Sequence, residues 1–460
     1  MSVRATENPQ SPPTHPAAPA VPDRDRLTLR RVFATWWPLA ASWLMMGFEL
    51  PAVSATMARL ADPEINLAAY GGVVFPLALL IEAPIIMLLA ASTALSRDRA
   101  SYLLLRRFMI LASGALTLVH VAVTVTPLYD LVVGGMMGAP EEIRAPARLG
   151  LLIMTPWTPS IAYRRFQQGV LIRFGRSRVV GIGTVIRLAT NLGVLGVGGA
   201  IGSVPAIVVG TSAVAAGVVV EAIFVGLAVR PVLRGELPVT SAGEPLTTRR
   251  FLRFYVPLAL TSVLALCTLP IGSAAMSRMP RPIDSLAVWP VVNGLTFTLR
   301  SLGFAYNEVV VALLGERGSF RTLVRFTLLL AGATTTFLAI VAATPLSGIW
   351  FAGVSGLSAP LAALGSRGLW IAIVMPAASV VQSWFQGVLV HAHRTRAVTE
   401  AVALSLVTAG VVLLVGIGLG RTTGLYVGLA AATLGTTVQG IWLWRRSRGE
   451  RREIVARADA

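Results

Sequence analysis

The chain contains no lysine: all 39 of its basic residues are arginine, set against 21 acidic ones for a formal net charge of +18. We read the missing lysine as coding bias. Cysteine is nearly absent too. The single Cys267 excludes an intramolecular disulfide and any multi-cysteine metal site. Charge as a whole is scarce, 13% of 460 residues, while 55% are hydrophobic and the mean hydropathy is +0.73. That is too apolar for a soluble protein of this length. The arginines sit in short clusters between apolar runs rather than on one soluble face, so a nucleic-acid partner is not expected. There is no His-Glu-x-x-His, no Gly-x-Ser-x-Gly, no Asp pair within an apolar run and no loop long enough for a soluble catalytic domain. An enzyme is therefore not expected, and no catalytic residue, metal ligand or cofactor is assigned.

What is present is apolar sequence in spans of membrane-crossing length, about 20 residues for about 30 Å of hydrocarbon. Twelve are expected, near 36–58, 66–92, 104–127, 149–172, 179–200, 205–229, 255–277, 286–314, 322–344, 367–390, 397–419 and 424–444. Residues 1–26, rich in Pro and Ala without a cleavable apolar core, read as a disordered tail rather than a signal peptide. The polar stretch 230–253, with Pro231, Gly235, Pro238, Gly243 and Pro245, reads as a linker between a lobe at 27–229 and a lobe at 254–445. A basic tail follows at 446–460.

The halves repeat each other. Phe166-Gln167-Gln168-Gly169-Val170-Leu171 followed by Arg176-Ser177-Arg178 returns as Phe385-Gln386-Gly387-Val388-Leu389 followed by Arg394-Thr395-Arg396, 218 residues later. In the first span of each half the offset is 219: Pro38-Leu39-Ala40 with Pro257-Leu258-Ala259, Leu50-Pro51 with Leu269-Pro270, Met57 with Met276 and Arg59 with Arg278. A repeat this long means two related lobes, not a solenoid. Six spans per half, an even number, makes them parallel repeats about an axis along the membrane normal.

Arginine clusters fall at the two termini and in every second loop, while the alternate loops hold few, among them Arg59, Arg144, Arg278 and Arg421. The positive-inside rule then puts both termini in the cytoplasm of a cell-membrane protein.

Ionisable residues inside spans are costly and usually face a cavity or each other. Glu49, Glu82, Arg164, Arg165, Arg187, Glu221, Arg300 and Glu308 are such residues, and all but Glu49 fall in the inner half. A guanidinium fork suits carboxylate or phosphate, so Arg164, Arg165, Arg187 and Arg300, with the repeat-motif Gln168 and Gln386, are the expected substrate-binding residues. Adjacent arginines point about 100° apart on a helix, so Arg164 and Arg165 cannot both hide against one neighbour. The bland reading is mutual pairing, for instance Glu82 with Arg164 or Arg165, or snorkelling of one arginine to the headgroups. Glu49, beside Pro51 and its freed carbonyls, together with Glu82 and Glu308, are the expected ion-coupling residues, with H⁺ or Na⁺ left open. His391 and His393 read as interfacial, and Asn191, Asn293, Asn307 and Gln439 as interhelical hydrogen-bonders.

The paired Gln-Gly-Val-Leu…Arg-(Ser/Thr)-Arg stretches resemble the ends of the fourth and tenth spans of MATE-like exporters, the superfamily that also holds polysaccharide and lipid flippases. The first two spans, through Pro38-Leu39-Ala40, Leu67-Ala68-Ala69-Tyr70-Gly71, Ala83-Pro84 and Ser96-Arg97-Asp98-Arg99, look most like the progressive ankylosis (ANK) proteins. The resemblance implies an all-α integral membrane protein, twelve transmembrane helices in two six-helix bundles around a central cavity, working by alternating access; a monomer is expected. It further implies export of a small organic or phosphorylated anion, such as citrate, pyrophosphate or a nucleotide. The alternatives are an H⁺- or Na⁺-coupled exporter of cationic drugs and a flippase for lipid-linked oligosaccharide. The partners expected are a small-molecule substrate and membrane lipid.

Overall fold

The computed structural model describes residues 27–239, 244–392 and 394–459; the expected tail at 1–26, His393 and part of the expected linker lie outside the described residues. Twelve helical passages follow one another. In the first half these are α1 (Leu29–Met57); α2 (Pro63–Ala69), α3 (Phe75–Ile86) and α4 (Leu88–Leu95) as one broken rod; α5 (Arg99–Val125); α6 (Glu141–Ile153) and α7 (Trp157–Arg173) as a second broken rod; α8 (Ser177–Ile201); and α9 (Ala206–Ala228). The second half holds α10 (Thr248–Met276), α11 (Pro282–Leu313), α12 (Ser319–Ala343), the single turn α13 (Leu346–Gly348), the rod α14 (Ala359–Ala372) and α15 (Met375–His391), then α16 (Thr395–Leu419) and α17 (Gly424–Arg446). A last helix, α18 (Arg448–Asp459), occupies the expected basic tail, with Glu450 pairing to Arg394 at 2.6 Å. No strand occurs among the described residues, and eight of the passages are long and apolar enough to cross a membrane.

The repeat is physical. Thr28 and Thr247 cap α1 and α10, each accepting from the amide three residues on at 3.3 Å. Glycines let the last two helices of each lobe close on each other: a Cβ on Gly198 would fall 2.5 Å from Val209, and one on Gly416 would fall 2.4 Å from Val427. The linker is shorter than its composition suggests. A π turn at Val232–Glu236 prolongs α9 and the Thr247 cap starts α10 early, so both ends of the expected linker are helical.

The first helix of each lobe is shared between lobes. The distal part of α1 packs in its own lobe, Met57 against Gly210 of α9, while its start lies on the other lobe, where the Trp36 indole donates to Leu302 O at 3.0 Å. The distal part of α10 likewise packs Met276 against Gly424 and Gly428, while Phe251 and Tyr255 near its start meet the Phe108 ring of α5 edge-on at 4.8 and 5.0 Å. Leu27 and Ile454 join one apolar cluster, so the two ends of the described chain lie at the same end of the bundle. That end is called terminal below, and the opposite end distal.

The two offsets have a structural cause. α11 runs unbroken, but its counterpart is interrupted by a π turn at Tyr70–Val74, and a π turn accommodates one extra residue. Before it the halves match at 219; after it they match at 218. Gly169 packs on Leu89 O and Ser92, and Gly387 on Asn307 O and Val310. In that register Glu82 of α3 and Arg300 of α11 are equivalent positions.

Candidate substrate site

Helix geometry decides what the two adjacent arginines do. Arg164 and Gln168 are four residues apart on α7 and share a face. That face meets Glu221 of α9, which Arg164 Nη1 reaches at 2.5 Å and Gln168 Nε2 at 2.9 Å. Glu221 also lies 3.6 Å from Arg187 Nε on α8, and Arg187 Nη2 lies 3.0 Å from Glu49 of α1. Asn191, one turn on from Arg187, donates to Glu49 at 2.9 Å. Six side chains from four helices thus form one chain of charge and hydrogen bonds through the first lobe. Arg164, Gln168, Arg187, Asn191 and Glu221 are all buried, and Glu49 is nearly so. Leaving any one of these charges unpaired there would be expensive, so the chain compensates itself.

Arg165 points round the helix and is half-buried. It makes no hydrogen bond or ion pair among the described residues, and its Nε is an orphan donor. The pairing of Glu82 with Arg164 or Arg165 offered by the sequence does not form: Arg164 is held by Glu221, and the Glu82 carboxylate instead accepts from the Trp157 indole at the start of α7. Both arginines still lie within electrostatic reach of Glu82.

The second lobe places Arg300 where the first has Glu82. Its Nε donates to Ser379 Oγ at 2.8 Å and its guanidinium stands 5.6 Å from the centre of the Phe304 ring. No carboxylate pairs with it among the described residues. Phe297, Arg300, Phe304 and Glu308 recur at helical spacing on one face of α11, with Trp43 of α1 packed edge-on to Phe304 at 5.6 Å and facing Glu308. Glu308 is exposed, and Gln386 is half-buried with no recorded partner.

Of the amides read as interhelical bonders, Asn191 reaches Glu49 and Asn307 reaches Ser383 O at 3.1 Å. His391 sits exposed at the end of α15, against Val311 O. Trp157, Trp43, Ser379 and the buried His120, which contacts Leu151 O at 2.9 Å, were not singled out by the sequence; an aromatic or hydroxyl in an apolar span carries no signal of its partner. A groove of about 490 Å³ opens elsewhere, between distal α1 and α8, lined by Ala55, Thr56, Arg59 and Leu192 among others. It touches none of the expected site residues.

No profile of a known protein family matches the chain, and no curated protein does. Solved structures do. An inward-facing multidrug-resistance MATE-family transporter of the MOP superfamily aligns over 92% of this chain and 98% of its own, at 15% identity and a TM-score of 0.69. An outward-facing one aligns over 93% and 98%, at 15% identity and 0.59. A MOP-superfamily transporter from Pyrococcus furiosus, described as having a binding pocket of reverse polarity, aligns over 94% and 97%, at 16% identity and 0.61. The fold is therefore the twelve-helix, two-lobed MATE architecture. None of these three structures bears on the resemblance to the ANK proteins in particular.

Proposed function

We propose that the chain is an alternating-access secondary transporter, not an enzyme, that exports a small organic or phosphorylated anion across the cell membrane with both termini cytoplasmic. One observation carries this reading. Arg165 and Arg300, one in each lobe, are embedded guanidinium groups with no carboxylate partner, while the first lobe's Glu49 and Glu221 are already engaged by Arg187 and Arg164. A guanidinium in such a place needs water or an anion, and its planar fork fits carboxylate or phosphate. The reverse-polarity pocket ascribed to the Pyrococcus furiosus transporter gives the architecture a precedent for a departure from the usual cargo. Among anions, the ANK resemblance favours citrate-, pyrophosphate- or nucleotide-like cargo. Arg164, Arg187 and Gln168 then serve by holding α7, α8 and α9 in place around Arg165.

Coupling belongs to the same proposal. Glu49 shares its carboxylate between Arg187 and Asn191, so taking up H⁺ or Na⁺ there would loosen Arg187 and the charges beyond it.

A second reading has its own support. Glu82 accepts only an indole bond and Glu308 is exposed, which is what an exporter of cationic drugs requires. A flippase for lipid-linked oligosaccharide would share the arginines. Inverted membrane vesicles loaded from outside with citrate, pyrophosphate or a cationic dye separate these readings. Uptake of an anion but not of the dye supports the proposal, and uptake of the dye alone replaces it with the cationic reading.

A further inference from the structure

Arg59 ends α1 and Arg278 ends α10, at equivalent positions of the repeat. Each bends back to its own helix and also crosses to the other lobe. Arg59 Nη1 donates to Ala55 O at 2.6 Å and its Nη2 to Gly353 O at 2.6 Å. Arg278 Nη1 donates to Ala274 O at 2.7 Å and to Met137 O at 3.0 Å, and its Nη2 to Gly135 O at 3.0 Å and Met136 O at 2.8 Å. Ala55 and Ala274 are equivalent in the repeat, and so are Gly135 and Gly353. The exchange is therefore reciprocal: each lobe offers an arginine and receives the other's.

The acceptors are built for this. They close π turns at Asp130–Met136 and Ile349–Val354, where the last carbonyls of a helical turn have no partner within the turn. Each turn is followed by a glycine at positive φ, Gly138 at 63° and Gly356 at 69°. A Cβ on Gly138 would stand 3.0 Å from Arg278 Cζ, and one on Gly356 would stand 3.2 Å from Arg59 Nη1. Both glycines thus combine a backbone that L side chains avoid with the room the opposing guanidinium needs. One further directional bond crosses near this end, from Ser358 Oγ to Glu64 at 3.0 Å; the rest includes close apolar packing, Gly71 and Gly72 against Pro290 and Leu286. Such packing separates without breaking any directional bond.

We propose that Arg59 and Arg278 are a reciprocal pair of latches that hold the distal ends of the two lobes together, and that opening of the distal face requires both to let go. The proposal concerns the conformational cycle alone and stands whichever cargo is carried. Arg278 makes three bonds across the lobes and Arg59 makes one, so the two latches are unequal.

The test uses the full chain in lipid nanodiscs, in a Cys267→Ala background, with spin labels at Ser203→Cys and Thr422→Cys. These are exposed distal positions in corresponding loops of the two lobes. The unsubstituted arginines should give one short inter-label distance. Arg278→Gln should raise the ratio of long to short distances about tenfold, Arg59→Gln less, and the double variant most. If the double variant fails to fold, Arg278→Lys serves: its ammonium keeps the charge but cannot reach all four carbonyls, so a smaller rise is expected. Arg421→Gln removes an exposed distal charge that makes no recorded bond and should change nothing. An unchanged distribution in the double variant, or in Arg278→Lys where that is the one that folds, overturns the proposal. So does a shift in Arg421→Gln as large as that in Arg278→Gln, which would assign the effect to charge alone.

Discussion

Glu82 on α3 and Arg300 on α11 occupy the same position in the two lobes and carry opposite charges, the one bonded by Trp157 and the other by Ser379. A strict repeat has therefore been broken where the lobes would present their walls to cargo. The π turn at Tyr70–Val74 sets the register in which these two residues correspond. Two kinds of embedded arginine result: those locked to acids within the first lobe, and those left with neutral partners or none. Substitutions should sort the arginines into these two kinds.

Arg164 belongs to the locked kind. Arg164→Gln leaves the fully buried Glu221 with Gln168 and a 3.6 Å contact to Arg187, a loss of the order of 3 kcal/mol for a broken buried pair. Thermal unfolding in detergent should show a marked drop in midpoint, and Arg164→Gln combined with Glu221→Gln should recover much of it. A single variant as stable as the parent would mean that the charge chain contributes nothing to holding α7 and α9 together.

Glu49→Gln should keep the protein folded, since the amide preserves the bond to Arg187 or Asn191 through its oxygen and Arg187 retains Glu221. Transport measured against pH and against Na⁺ should lose its dependence on whichever ion couples. An unaltered profile returns Glu49 to a purely structural role.

The equivalent glycines of the repeated motif should respond unequally to alanine. A Cβ on Gly169 would meet the Leu89 carbonyl at 2.4 Å as well as Ser92, whereas on Gly387 its nearest neighbours are Val310 side-chain atoms at 2.6 Å. Backbone atoms oppose Gly169 at 2.4 Å but Gly387 only at 3.3 Å, so Gly169→Ala should cost more, beyond the usual ~1–3 kcal/mol of overpacking. Unfolding midpoints of the two variants check the order, and Gly387→Ala proving the worse would contradict it.

Much of this was legible in the sequence. The paired Gln-Gly-Val-Leu motifs pointed to two lobes and the apolar spans to twelve helices, and the scarcity of charge in the spans made Arg164, Arg165, Arg187, Arg300, Glu49, Glu82 and Glu308 conspicuous. Their partners were not legible. Whether Glu82 meets an arginine or an indole depends on helix rotations of some tens of degrees, set by packing such as that of Trp157, which hydropathy does not encode. The crossing of α1 and α10 between lobes was likewise hidden, because Trp36 and Tyr255 read only as apolar aromatics. The change of offset from 219 to 218 was visible, but its cause is a backbone bulge without a residue signature.

The most direct test of the proposed cargo compares Arg165→Gln, Arg300→Gln and their combination with the parent in inverted vesicles, measuring initial uptake of citrate or pyrophosphate against that of a cationic dye. Each charge-assisted bond lost should weaken the apparent affinity for the anion by roughly ten- to a hundredfold. Arg165→Lys should recover part of it, because charge returns without the fork. The amount and unfolding midpoint of the protein should stay level, since neither arginine is paired to a carboxylate. Normal anion uptake by the double variant, or uptake of the dye but not of the anion by the parent, would contradict the assignment of these two arginines to an anionic cargo.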